Sequence, residues 1–209
     1  MFESTDPLQE QSPQDELWLI SYADLLTLLI GFFVLIIASV PLRRASFERI
    51  AAALSGSQRA TPLEELREKV DRMVERSPEL RERVVTRDDA EGLGIEFKDA
   101  LLFDSGSAAI RPEAQPAIDE IARLLEELPA RPITIEGHTD DLPINGRTFH
   151  SNWELSSQRA VNVLNVLQAA GVQRQRMSTR AWADTRPLQT QGDLEQRRSA
   201  NRRVVIRVE

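Results

Sequence analysis

The carboxyl group of Asp24 lies inside a long apolar run, WLISYADLLTLLIGFFVLIIASV, at residues 18–40. Placing a carboxylate in a membrane span costs about 2.5 to 3.5 kcal/mol on insertion scales, because desolvation penalises the ionised form. A carboxylate that exchanges between protonated and ionised states can carry an ion through such a span. The alternative is a structural hydrogen bond between helices, which aspartate also makes. The residue pattern favours ion transfer and leaves the hydrogen bond open.

Small and polar residues share one face of the predicted helix with Asp24. Ser21 and Thr27 lie three residues away on either side, and Gly31 and Ala38 follow at seven-residue spacing. Such a face allows another helix to pack closely around a polar group. Small residues also permit simple dimer packing, and the two interpretations are compatible because a homodimer would bring two Asp24 carboxylates together.

The element that must hold Asp24 is a membrane-spanning helix. Residues 17–40 contain one charged side chain, and at about 1.5 Å per residue they form a helix of roughly 36 Å, enough to cross a hydrocarbon core of about 30 Å. The preceding residues 1–16 carry five acidic and no basic side chains, unlike the basic start of a signal peptide. We therefore predict a retained transmembrane helix over residues 17–40.

Composition narrows the function class. The chain has 209 residues, enough for one ordinary domain with additional segments. A net charge of −7 argues against a nucleic-acid partner, because phosphate binding requires a basic surface. There is no cysteine, which excludes disulfides and thiolate chemistry.

Residues 41–83 are predicted to form linker helices. In RRASFERIAAALSG, residues 43–56, apolar side chains recur with the period of a short amphipathic helix. A second helix begins at Thr61 as N-cap, with Pro62 in the first turn and Glu64 completing a capping box. Its apolar stripe packs on the following domain or on a second copy; it contains Leu63, Leu66, Val70, Met73 and Val74. Another short helix is predicted from Ser77.

From residue 84 onwards, short apolar strands alternate with amphipathic helices in the order β-β-α-β-α-β-α-β. This order predicts an α+β domain over residues 84–209, with helices packed on one face of a small mixed sheet. About 120 residues can bury such a core.

Four titratable residues near the middle of this domain could form a metal or acid-base site: His138, Asp140, Asp141 and His150. No nucleophile motif, cysteine or HExxH spacing accompanies them. We predict a protein that is not an enzyme and holds no cofactor, and we expect His138 to end a strand with its ring satisfied by hydrogen bonds.

The run ELWLISYADLLTLLIGFFVLIIAS resembles the membrane helix of the MotB family, the ion-conducting stator subunits of the flagellar motor. The resemblance implies that Asp24 binds the transported H⁺ or Na⁺. It also implies a homodimer surrounded by a MotA-like multi-span ring, a pentamer, and a plug-like role for residues 43–56.

Four blocks in the C-terminal domain resemble the OmpA-like peptidoglycan-binding domain: LLFDSGSAAIRPEA, ITIEGHTDD, SNWELSSQRAVNVL and NRRVVIRV. The resemblance implies that Asp140 and Arg159 grip the diaminopimelate of a peptidoglycan stem peptide. A carboxylate suits its ammonium, and a guanidinium suits its carboxylate. Four further residues match positions near that site: Thr139, Asn152, Leu155 and Arg203. The alternative is a surface salt bridge between Asp140 and Arg159.

Two signals disagree about orientation. Arg43 and Arg44 follow the span, which by the positive-inside rule would place the C-terminal domain in the cytoplasm. A wall-binding domain must lie outside the inner membrane, so we predict a single-pass inner-membrane protein with a cytoplasmic acidic tail at residues 1–16 and a periplasmic C-terminal domain. The predicted function is an ion-driven stator subunit. Two alternatives remain: a non-flagellar complex such as the ZorB type of phage defence, and a passive peptidoglycan tether.

Overall fold

The computed structural model describes residues 17–39, 61–128, 131–144, 146 and 148–209. The chain divides into two compact units, residues 1–42 and 43–209. The acidic tail at 1–16 and the amphipathic helix predicted over 43–56 lie outside the described residues.

The first unit contains helix α1, Leu17–Ser39. Its segment Trp18–Ala38 is long and apolar enough to cross a membrane, with a mean hydropathy of 2.3. Thr27 Oγ1 donates a hydrogen bond to the backbone oxygen of Asp24 at 2.8 Å. This bond engages the main chain of Asp24 and orients the Thr27 hydroxyl toward the preceding turn, on the face that also carries the aspartate.

Helix α2, Pro62–Arg76, is the first described element of the second unit, and the predicted capping box is confirmed. Thr61 N donates to Glu64 Oε2 at 2.7 Å, and Glu64 N donates to Thr61 Oγ1 at 3.3 Å. The apolar stripe of α2 enters the core of the second unit, so the helix packs on the domain that follows it. Residues 78–83 form turns, and the short helix predicted there is absent.

Among the described residues, five strands, four further α-helices and two 3-10 helices, Pro112–Ala114 and Arg174–Arg176, follow α2. In chain order the strands and α-helices are β1 Val84–Asp89, β2 Gly92–Lys98, α3 Asp99–Leu102, α4 Gln115–Glu126, β3 Ile133–His138, α5 Asn152–Ala169, β4 Met177–Ala183, α6 Leu194–Asn201 and β5 Arg203–Val208. The strands form one sheet in the order β1-β2-β5-β3-β4. All neighbours are antiparallel except β3 and β4, which are parallel. The predicted α+β class with a small mixed sheet is confirmed.

The core lies between the sheet and helices α2, α4 and α5. Alternate residues of β5 point into it, including Val204, Ile206 and Val208, as the period of two in a strand requires. Ile118 and Ile121 of α4 close the other side and are fully buried. One face of the sheet is therefore apolar, and the residues between these apolar positions lie on the opposite, polar face.

The polar face of the sheet carries an ion pair between Glu136 and Arg207. Arg207 Nε lies 3.2 Å from Glu136 Oε1, and Arg207 Nη2 lies 3.2 Å from Oε2. Burial acts to raise the pKa of Glu136, but His138 and Arg207 outweigh it and lower the pKa to about 2. His138 Nε2 is 3.8 Å from Glu136 Oε2, beyond hydrogen-bond range, so we assign most of this stabilisation to Arg207.

The expectation for His138 is wrong in one respect. The residue ends β3 as predicted, but both of its ring nitrogens are buried without a hydrogen-bond partner within the part of the chain that the structure describes. Burial lowers the pKa of His138, because the charged imidazolium would be desolvated there. The ring is therefore neutral at pH 7.

Candidate functional site

A cavity of ≈ 440 Å³ lies where the end of β3 meets the start of α5. Its volume falls in the range of small-ligand sites, roughly 300 to 1,000 Å³. Four segments line it: α3 with the loop after it, the loop after β3, the first turns of α5, and one face of α6 with the residue after it. Its principal polar residues are Asp99, Thr139, Asp140, Asn152, Arg159 and Arg202.

Close packing of β3 against α5 creates this junction. A Cβ atom added to Gly137 would lie 2.1 Å from the backbone oxygen of Ser156, so only glycine allows the strand and the helix to approach this closely. The sheet register shifts between Gly137 and His138. The strand therefore ends beside the helix, and Asp140 and Arg159 reach the same cavity from different elements.

Asp140 is held by its own loop and by an arginine from the end of α6. Its Oδ2 lies 2.7 Å from Arg202 Nη1, and its Oδ1 accepts a hydrogen bond from Leu142 N at 3.2 Å. Asn152 Nδ2 donates to the backbone oxygens of Asp140 at 3.2 Å and Leu142 at 3.0 Å. The carboxylate is thus pre-oriented, and with about four lone-pair positions it retains acceptor capacity.

Arg159, on α5, lines the same cavity and is only 2% exposed. Its Nη1 is 3.0 Å from Asp99 Oδ1, its Nε donates to Ser107 O at 2.9 Å, and its guanidinium carbon lies 4.9 Å from the centre of the Phe103 ring. Burial lowers the pKa of Arg159, but an arginine stays charged at neutral pH. The side chain is a fixed cation with further donors to offer.

Burial also raises the pKa of Asp99, against the opposing effect of Arg159 and Arg202. For Arg202, burial acts to lower the pKa, but hydrogen bonds to Asp140 and Glu195 outweigh it and raise the pKa. The cavity lining therefore contains Asp99 paired with Arg159, and Arg202 paired with both Asp140 and Glu195. The alternative of a salt bridge between Asp140 and Arg159 is not what the structure contains, since each has a different partner.

The structure brings five of the six residues that the sequence placed at this site into the lining of one cavity: Thr139, Asp140, Asn152, Leu155 and Arg159. Arg203 is not among the lining residues. Its guanidinium donates instead to the backbone oxygens of Asn201 at 3.3 Å and Arg186 at 3.2 Å. Thr139 is 4% exposed, and its hydroxyl is buried without a partner among the described residues.

Sequence reasoning missed Arg202 and Asp99. Arg202 stands directly before Arg203 in the block NRRVVIRV, and neighbouring residues at the start of a strand point to opposite sides. The block NRRVVIRV therefore did indicate that one of its arginines lies at this site. Which of the two enters the cavity depends on how α6 ends and β5 begins, which the residue types do not specify.

The residues considered for a metal or acid-base site do not converge. Asp141 pairs with Arg198 at 2.7 Å, and His150 lies 3.4 Å from Glu154 through Nδ1. Across the described ranges, no group of three or more His, Cys, Asp or Glu side chains could hold a metal ion. Of these four residues, Asp140 alone is among the residues that line the charged cavity.

Known protein families match parts of both units of the chain. Residues 102–202 match the OmpA family, and residues 5–57 match the family described as Membrane MotB of proton-channel complex MotA/MotB. The chain is 31% identical over 241 residues to Motility protein B of Bacillus subtilis (strain 168), covering 94% of this chain and 92% of that relative.

Two solved structures have a similar fold. The periplasmic domain of Helicobacter pylori MotB is 32% identical with a TM-score of 0.55, covering 60% of this chain and 81% of that one. The cell wall anchor of the T6SS from Pseudomonas aeruginosa is 32% identical with a TM-score of 0.59, covering 68% and 97%. The resemblance read from the sequence is thus confirmed: the chain belongs to the MotB family, and its second unit has the family's OmpA-like fold.

Proposed function

We propose that this protein is the B-type stator subunit of an ion-driven flagellar motor. Asp24 carries H⁺ or Na⁺ within a homodimer surrounded by a MotA-like pentameric ring. Asp140 and Arg159 anchor the complex to peptidoglycan stem peptides. The N-terminus is cytoplasmic, the C-terminal domain is periplasmic, and the protein is neither an enzyme nor a cofactor carrier.

One observation carries the proposal: a carboxylate in an apolar helix of membrane length and a cavity with paired opposite charges occur in one chain. Each elementary charge that crosses 100 mV releases about 2.3 kcal/mol. That free energy drives rotation of a partner only if the subunit carrying the ion site is held still. Attachment to the cell wall supplies the fixed point.

The charges in the cavity support a zwitterionic ligand such as the free end of diaminopimelate. Asp140 offers a carboxylate to an ammonium group, and Arg159 offers guanidinium donors to a carboxylate. Both side chains are already oriented by protein partners. Binding therefore costs little additional side-chain ordering.

The connection between span and domain, residues 41–83, is short, which taken alone suits the alternative role in phage defence. The match to Motility protein B of Bacillus subtilis extends over 92% of that relative, which favours the flagellar role for a chain of this length. Genes encoding flagellar components beside this one would support that choice, and defence genes would oppose it.

The test uses the full chain expressed with its MotA-like partner. Asp24→Asn should abolish ion flux and motility while leaving binding of a stem tripeptide unchanged, and Leu25→Ala serves as a control in the same helix. Arg159→Ala should abolish tripeptide binding while leaving the fold intact by circular dichroism. Unchanged flux in Asp24→Asn would reduce the protein to a passive tether. Unchanged tripeptide binding in Arg159→Ala would show that the cavity is not the site that binds peptidoglycan.

A further inference from the structure

His138 ends β3 with its imidazole ring inside the protein. The side chain is 3% exposed, and neither ring nitrogen has a hydrogen-bond partner among the protein groups that the structure describes. A neutral ring leaves one N–H and one lone pair unused, whereas an imidazolium would bury two unpaired donors and a full charge. The surroundings of the ring therefore favour its neutral form.

The charged groups that face the ring do not compensate an imidazolium. Oε2 of Glu136, on the same strand, lies 3.8 Å from Nε2 of the ring, and Arg207 of β5 already contacts both oxygens of that carboxylate. Arg180 of β4 lies 3.8 Å from its Oε1. Burial, together with Arg203 and Arg207, lowers the pKa of His138 against the opposing effect of Glu136. An imidazolium would have no carboxylate of its own.

The loop that carries two cavity residues continues directly from this ring. Thr139 and Asp140 follow His138 in the chain, and both line the charged cavity. The sheet register shifts between Gly137 and His138, and the ends of elements open locally at a lower free energy than core strands do. Thr139 N donates to Ala183 O at 2.9 Å. This bond holds the start of the loop to β4 and reports whether the strand end is docked.

We propose that protonation of His138 releases the loop at residues 139–144 from the sheet, so that acidification of the periplasm weakens attachment to peptidoglycan. The charged ring moves into water, where both N–H groups find acceptors, and Thr139 and Asp140 move with it. Asp140 then separates from Arg202 and from the cavity. The consequence for wall attachment rests on the proposed function, whereas the release of the loop does not.

The expected size of the effect follows from proton linkage. The docked loop keeps the ring neutral, and a released ring titrates at the ordinary histidine pKa of 6.5. A fall in pH below that value therefore favours the released state. Between pH 7.5 and pH 5.0 the ratio of released to docked loop should rise about 30-fold.

The test measures hydrogen exchange of the Thr139 amide by NMR on the full chain in detergent, at pH 7.5 and pH 5.0. After correction for the intrinsic pH dependence of exchange, the wild-type rate should rise about 30-fold at the lower pH. In His138→Gln, which has no group that titrates in this range, the rate should change less than about twofold.

The chain has two histidines, and the second provides the control. His150 is exposed and lies 3.4 Å from Glu154, so His150→Gln should keep the wild-type rise. The ring signals of the two histidines give a measurement that needs no variant. Loss of protection at Thr139 should follow the titration of the His138 signal and not that of His150.

Calorimetric titration with the tripeptide L-Ala-D-Glu-diaminopimelate at the same two pH values tests the consequence for binding. The wild-type affinity should fall about fivefold at pH 5.0, because the docked loop is the state that binds. The affinity of His138→Gln should change less than about twofold. Groups of the peptide titrate alike with both chains, so the difference between the chains isolates His138.

The outcomes separate the two proposals. Equal corrected exchange at the two pH values, or a rise that persists in His138→Gln, would overturn the release of the loop. A rise in exchange with unchanged tripeptide affinity would overturn its effect on wall attachment. If the wild-type chain binds no tripeptide at either pH while the exchange still responds, the stem-peptide site fails and the release of the loop stands.

Discussion

Oδ2 of Asp140 lies 2.7 Å from Nη1 of Arg202, an arginine that the sequence did not single out. The contact joins the loop after β3 to the end of α6, 62 residues apart. It provides a nearly buried carboxylate with an opposite charge, which such a group requires. Any ligand that approaches Asp140 therefore meets a carboxylate that is already paired with Arg202.

The first prediction concerns Arg202. Arg202→Gln removes the charge that orients Asp140, so the affinity of the full chain for the stem tripeptide should fall about tenfold. Calorimetric titration measures it. Arg198→Gln is the matched control, because Arg198 pairs with the exposed Asp141 at 2.7 Å, and it should change affinity less than twofold. Tighter binding by Arg202→Gln would mean that the arginine competes with the ligand instead of supporting the site.

The second prediction concerns the junction of β3 and α5. In Gly137→Ala the new methyl group would meet the backbone oxygen of Ser156 at 2.1 Å. The strand or the helix must then shift, and the free energy of unfolding should fall by about 3 kcal/mol. Urea denaturation measures this. Gly146→Ala is the control, since its added Cβ would lie 3.6 Å from Phe149 O and should change stability by less than about 0.5 kcal/mol.

The third prediction is a pH dependence of stability. The pKa of Glu136 is lowered from 4.5 to about 2 in the folded protein, so the folded state binds this proton less readily than the unfolded state. Its contribution is present above pH 4.5 and is lost as the pH falls toward 2. Because His138 Nε2 lies 3.8 Å from the Glu136 carboxylate and adds less than a hydrogen bond would, we expect this contribution to be about 1 to 3 kcal/mol.

Urea unfolding at several pH values between 2 and 7 tests this contribution. Glu136→Gln should flatten the decline relative to the wild-type chain, because the titrating group is gone. The exposed Glu113, whose side chain is 70% accessible, provides the control in Glu113→Gln, and that variant should follow the wild-type curve. An equally steep decline in Glu136→Gln would assign the acid sensitivity to other carboxyl groups.

The fourth prediction concerns helix α2. Leu66 is 2% exposed in the core of the second unit, so Leu66→Ala should lower the free energy of unfolding by about 2 to 5 kcal/mol. The loss should not depend on protein concentration, because the leucine packs within its own chain. Leu194→Ala, at a side chain that is 50% exposed, should have little effect. A loss that disappears at high protein concentration would indicate that α2 packs on a second copy instead.

Much of the architecture was predictable because local patterns determine it. Short apolar segments between helices located all five strands, and helical periodicity located α2, α4 and α5. The capping box at Thr61 and Glu64 depends on residues three apart, so it is fully local. The segment after Ser77 was predicted wrongly, since turns and a short helix share the same residue preferences.

The charged cavity was predictable only in part. Asp140 and Arg159 were placed by resemblance, whereas their partners Arg202 and Asp99 come from distant segments. His138 ends its strand as expected, but its unpartnered ring follows from what packs around it, and no local pattern carries that information.

By itself, the sequence determined the order of the five strands and of helices α2, α4, α5 and α6, the membrane-length segment with its single carboxylate, and the residue types available for binding a zwitterion. It did not indicate the short helix α3. Only the tertiary structure decided which charges pair, that Arg202 and not Arg203 enters the cavity, and that α2 packs on its own domain. The physical reason is the sequence separation over which each interaction acts. Periodicity and capping act over a few residues, whereas an ion pair such as Asp140 with Arg202 joins groups 62 residues apart and depends on the packing of every element between them.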